Sequence, residues 1–138
     1  MKTFLIAGVV IVVLLVGGAW WSKNAPTDDP NVIARNGIHW HPSLKIYVGD
    51  ELQTIPQNLG LVGVHGPIHT HDDLPIIHLE FPARVTRDDT KLQRFFDVWS
   101  KDINEFGETF VMTVNGDVNT QYGEYEMQDG DEIVLRYE

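Results

Sequence analysis

The sequence predicts an α+β protein: an N-terminal transmembrane helix, then a small domain built from a mixed sheet with one helix. Three observations carry this expectation. An uncharged apolar run fills residues 3–21. Strand-like alternation recurs at residues 44–48, 75–81 and 132–137, and one segment, 87–101, places its large apolar residues at helical spacing.

Taken in order, residues 3–21 (TFLIAGVVIVVLLVGGAWW) carry no charge. About 20 apolar residues cross the roughly 30 Å hydrocarbon core of a bilayer, so the run reads as an anchor. Trp20 and Trp21 close it with side chains suited to the interface. The run is long for a signal-peptide core and lacks an A-x-A pattern, so a retained anchor is expected over a cleaved leader. Two prolines, two aspartates and three asparagines in residues 22–36 then read as an extended linker. The expected organisation is an anchor at 1–21, a linker at 22–36 and an extracytoplasmic domain at 37–138. The short N-terminal tail favours an N-in, C-out orientation. That predicts a single-pass protein of the cell (inner) membrane with a periplasmic or extracellular C-terminal domain.

Within the domain, Leu44, Ile46 and Val48 alternate with Lys45 and Tyr47, and Gly49-Asp50-Glu51 can turn the chain into residues 52–55. Residues 56–66, with three glycines, read as loop. In 75–81 (PIIHLEF), Ile77, Leu79 and Phe81 share one face, and Ile76, His78 and Glu80 the other. Leu92, Phe95, Phe96 and Trp99 mark a helix, with Asp88 or Asp89 available as its cap. Asn115-Gly116 is a strong hairpin signal between 110–114 and 117–120, and Asp129-Gly130-Asp131 turns into the terminal strand 132–137.

The ending MQDGDEIVLRYE, preceded by the VNG hairpin and a single helix, resembles the β-grasp (ubiquitin-like) fold over residues 91–138. It is most similar to the sulfur-carrier branch. The chain ends Arg136-Tyr137-Glu138 rather than Gly-Gly, so the resemblance implies a β-grasp-like domain and not carrier chemistry. Residues 39–80 also resemble a group of membrane-anchored prokaryotic proteins with paired histidines, a resemblance that implies no particular activity.

All six histidines, His39, His41, His65, His69, His71 and His78, fall within one window, residues 39–78. His39-Trp40-His41 and His69-Thr70-His71 are two H-x-H pairs. In an extended backbone, residues i and i+2 point the same way, so both rings of a pair can approach one ion. Asp72, Asp73 and Glu80 add oxygen donors nearby. Imidazoles with a carboxylate suit Zn²⁺ or Cu²⁺. The plainer alternatives are loop-bracing histidines and a pH-sensitive patch.

His69-x-His71 resembles the cupin metal motif in that dipeptide pattern alone, because Glu80 lies too far along the chain. No H-E-x-x-H, G-x-S-x-G or phosphate-binding glycine loop occurs, and Ser43 beside His41 lacks any supporting motif. The chain is therefore expected not to be an enzyme. Cysteine is absent, which excludes disulfides and thiolate sites. All twenty acidic residues but only nine basic ones follow residue 21, which argues against nucleic acid as a partner. The partners expected are the lipid bilayer through residues 3–21 and other membrane proteins. Two functional expectations follow. One is a non-catalytic accessory subunit of a membrane assembly, respiratory or photosynthetic. The other is a histidine-rich module that sequesters or delivers Zn²⁺ or Cu²⁺. Trp40, between two histidines, is the expected partner contact.

Overall fold

The computed structural model describes residues 2–24 and 29–138, and within its first helix the side chains of Ile6, Gly8 and residues 10–21. The chain divides into two compact units, Met1–Pro30 and Asn31–Glu138.

The first unit contains helix α1, Lys2–Asn24. The expectation of a membrane-spanning anchor is corrected here. Among the described residues, no helix is long and apolar enough to cross a membrane. The predicted fold class with its transmembrane helix, and the single-pass inner-membrane localisation drawn from it, are both overturned. The architecture is instead a small α+β domain, mostly strands, with two α-helices among the described residues.

The second unit contains ten strands. They are β1 (Val32–Ala34), β2 (Ile38–Trp40), β3 (Ser43–Val48), β4 (Glu51–Leu52), β5 (Ile68–His69), β6 (His78–Phe81), β7 (Val85–Thr86), β8 (Phe110–Val114), β9 (Asp117–Asn119) and β10 (Glu132–Tyr137). Helix α2 is Leu92–Trp99. A five-stranded sheet runs β4-β3-β10-β8-β9, and a three-stranded sheet runs β2-β6-β5. β1 pairs with β7 alone, which brings part of the expected linker into a strand pair.

Alternation makes the five-stranded sheet one-sided. Leu44 and Ile46 of β3, Met112 and Val114 of β8, and Ile133, Leu135 and Tyr137 of β10 are buried. β10 lies parallel to β3 and antiparallel to β8, so the terminal strand is central. At the β8–β9 hairpin, Asn115 and Gly116 take φ of 53° and 90°. Two successive positive φ values match the right-handed twist of the flanking strands, which is why Asn-Gly suits this position.

Leu92, Phe95 and Phe96 of α2 are fully buried in one core with Leu44, Ile77, Leu79 and Leu135. Burying each such side chain stabilises the fold by about 1.5–3 kcal/mol. The helix is shorter than the periodicity predicts. Arg87–Thr90 forms a 3-10 turn, and Lys91 is extended at φ −61°, ψ 140°. The cause is tertiary competition for backbone groups. Leu92 N–H donates to Tyr125 O and Met127 N–H to Thr90 O, so the segment at 125–127 takes bonds a continuous helix would use. Asp89, rather than Asp88, closes the turn, accepting from Thr86 N–H at 2.8 Å and Thr86 Oγ1 at 2.7 Å.

Candidate metal centre

The three-stranded sheet has one apolar face and one histidine face. In its register, Ile38 pairs with Phe81, Trp40 and Ile68 both pair with Leu79, His39 pairs with Glu80, and His69 pairs with His78. Leu79, Ile77 and Ile68 pack into the core, and Ile38, Phe81 and Trp40 pack against it. Trp40 is thus a half-buried, core-flanking residue. Period-2 alternation then puts His39, His41, His69, His71, His78 and Glu80 together on the opposite face.

The loop from Pro56 to Pro67 folds against that region. Thr70, fully buried, donates from Oγ1 to Pro56 O at 2.9 Å and accepts from Leu59 N–H at 3.1 Å. Gly60, at φ +71°, passes so close to β5 that a Cβ would sit 2.2 Å from Ile68 O. This close approach helps place the His65 ring 4.1 Å from that of His69.

The six rings form one continuous set of contacts. His39 and His41 lie 4.7 Å apart, His41 and His78 5.0 Å, His78 and His71 4.9 Å, and His69 and His71 4.8 Å, measured between centroids. His69 and His78 stack almost parallel at 5.2 Å. The two H-x-H pairs therefore share one surface, a question spacing alone leaves open.

Hydrogen bonds fix the tautomers of the two buried rings. His69 Nδ1 lies 2.9 Å from Gly66 O; a carbonyl only accepts, so Nδ1 carries the proton and Nε2 the lone pair. His78 Nε2 lies 3.0 and 3.2 Å from the Asp73 carboxylate oxygens, so Nε2–H donates and Nδ1 keeps its lone pair. Both free atoms, His69 Nε2 and His78 Nδ1, are buried without a hydrogen-bond partner among the described residues. Their nearest charged neighbour is the same oxygen, Glu80 Oε1, at 3.9 and 3.8 Å. His39 Nε2 reaches that oxygen at 3.0 Å. A tetrahedral ion with bonds of about 2.0–2.1 Å holds neighbouring donors about 3.4 Å apart, so these separations surround the value such an ion needs.

Electrostatics agree with a neutral His69 ring inside and charge at the rim. Burial, with a lesser contribution from His65 and His71, holds the pKa of His69 below its ordinary 6.5, while the Gly66 bond and Glu80 oppose that shift. The hydrogen bond from His78 holds the Asp73 carboxyl below the usual carboxylate range. His41 has Asp129 Oδ1 at 3.8 Å from its Nδ1, and the same oxygen accepts from its backbone N–H at 2.8 Å.

All six histidines singled out in the sequence thus come together, in two groups whose donor atoms lie within 4.8 Å of one another: His39, His41, His78 and Glu80, and His65, His69 and His71. These groups are able in principle to hold metal. Asp129 was missed, because it lies 88 residues from His41 and only the tertiary fold joins them. Asp72 adds no ligand to either group among the described residues. The chain matches no protein-family model, no curated protein and no solved structure.

Proposed function

We propose that the domain is a non-catalytic metal-binding module whose histidine face takes up Zn²⁺ or Cu²⁺, for sequestration or delivery. One observation carries this reading: two buried imidazole nitrogens, His69 Nε2 and His78 Nδ1, lie 3.9 and 3.8 Å from a shared carboxylate oxygen and have no hydrogen-bond partner among the described residues. A buried polar atom left unpaired costs about 1–3 kcal/mol. Coordination to a cation removes that cost, and the anchoring of each opposite nitrogen by Gly66 O or Asp73 is the support that metal-bound histidines need. Imidazole with carboxylate favours the borderline ions over Mg²⁺ or Ca²⁺. The strand order β4-β3-β10-β8-β9, with a parallel central pair and a helix packed in the same core, supports a β-grasp-like scaffold for the site. The accessory-subunit reading drew on a membrane span that the described residues do not supply, so the metal module leads.

The test is calorimetric titration of the full chain with Zn²⁺ and Cu²⁺. Uptake of at least one ion is expected, with His69→Gln and His78→Gln each weakening it more than tenfold. No uptake of either ion at millimolar metal would sink the proposal.

A further inference from the structure

Building on the metal-binding reading, we propose that the histidine face holds two divalent ions side by side: one on His39, His41, His78 and Glu80, the other on His65, His69 and His71. Donor atoms within each set lie within 4.8 Å of one another. The sets share no residue, and together they use every histidine in the chain. A single ion on His39, His69, His78 and Glu80 would satisfy both buried nitrogens. It would leave His41, His65 and His71 crowded against those ligands, at 4.7, 4.1 and 4.8 Å between ring centroids, with nothing to bind.

The two sets meet at the stacked pair His69–His78 and at Glu80 Oε1, which lies about equally far from the free nitrogen of each ring. Two-metal sites commonly place their ions about 3.5–4 Å apart, where two dications repel strongly. A carboxylate between them offsets part of that repulsion. Asp73 against His78 and Asp129 against His41 supply two further negative charges at the rim. The surrounding chain, at a net charge of −10, adds a field of the same sign.

Each set is also built by different parts of the chain. His39 and His41 come from β2 and the residues just after it, His78 and Glu80 from β6. His69 and His71 come from β5 and its continuation, and His65 from the loop that Gly60 draws against β5. One set can therefore be removed while the other keeps its scaffold.

The experiment is equilibrium dialysis of the full chain against Cu²⁺ and, separately, Zn²⁺, with bound metal measured by elemental analysis. Two ions per chain are expected for the wild type, falling to one in H65A/H71A and to one in H39A/H41A. Electron paramagnetic resonance of the Cu²⁺-loaded wild type supplies a readout that does not depend on the variants folding. Neighbouring coupled ions give an integrated spin well below the copper content. One ion per chain in the wild type, or two ions whose spins integrate to the full copper content, overturns the two-ion arrangement and leaves the metal-binding reading intact. No ion at all overturns both.

Discussion

Replacing Asp73 by alanine separates a metal role from a structural one. Asp73 holds His78 by a bond from Nε2–H at 3.0 Å, and its own side chain is 49 % exposed. The His78 ring is buried but the Asp73 side of the pair is half exposed, where water can replace the carboxylate, so the metal-free variant should unfold within about 1 kcal/mol of the wild type. Its effect on metal should be larger. Asp73 fixes the tautomer that leaves the His78 Nδ1 lone pair free. Loss of such an outer carboxylate typically weakens metal binding 10–100-fold, which is about 1.4–2.7 kcal/mol. Competition titration with a chromogenic chelator gives the affinity, and urea unfolding of the metal-free protein gives the stability. An affinity within threefold of the wild type would refute the reasoning. So would a loss of metal-free stability as large as the loss of binding, since that would make Asp73 a structural brace.

Three further outcomes follow from the same geometry. Burial holds His69 below pKa 6.5, so as the pH falls the unfolded chain takes up this proton first. The stability contributed by neutral His69 is complete above 6.5 and is lost progressively below it, and metal affinity falls over the same range as protons compete. Urea midpoints of the metal-free protein at about pH 7.5 and about pH 5.5 should therefore differ, the acid value being lower, and a smaller difference in a His69→Gln background identifies the group. Gly60→Ala should cost roughly 2 kcal/mol or more, since its Cβ would meet Ile68 O at 2.2 Å, whereas Gly63→Ala, with open space around it, should cost about 1 kcal/mol from its positive φ alone. Equal unfolding midpoints for those two variants would contradict the close approach of the loop to β5. Asp131→Ala should cost roughly 3 kcal/mol, because the buried carboxylate accepts from Asn115 Nδ2, Tyr125 OH and Gln128 N–H, and a midpoint shift worth under about 1 kcal/mol would refute that.

Local patterns carried several elements directly. The alternation in 132–137 appears as β10 with Ile133, Leu135 and Tyr137 inward, and Asn115-Gly116 appears as a hairpin turn. Both depend on neighbours one or two residues away, which sequence displays. The helix at 87–101 was overextended because backbone groups of 90–92 bond to the segment at 125–127, a competition with no local signature. β2 and β5 escaped notice because they are short, 3 and 2 residues, and become strands only by pairing with β6. Trp40 looked free between two histidines, yet alternation sends it to the core side of β2.

The sequence by itself determined the donor chemistry: six imidazoles within one stretch, two of the pairs at i and i+2, with carboxylates close behind and no thiol anywhere. It also determined that each H-x-H pair, if extended, presents both rings on one side. Tertiary structure decided the rest. Strand register set His39 opposite Glu80 and His69 opposite His78, the loop brought His65 over His69, and Gly66 and Asp73 chose which nitrogen of each buried ring stays free. The physical reason is one of range. A residue's direction along a strand follows from its own backbone, whereas convergence and tautomer depend on partners that only the pairing of distant strands and loops brings within hydrogen-bond reach.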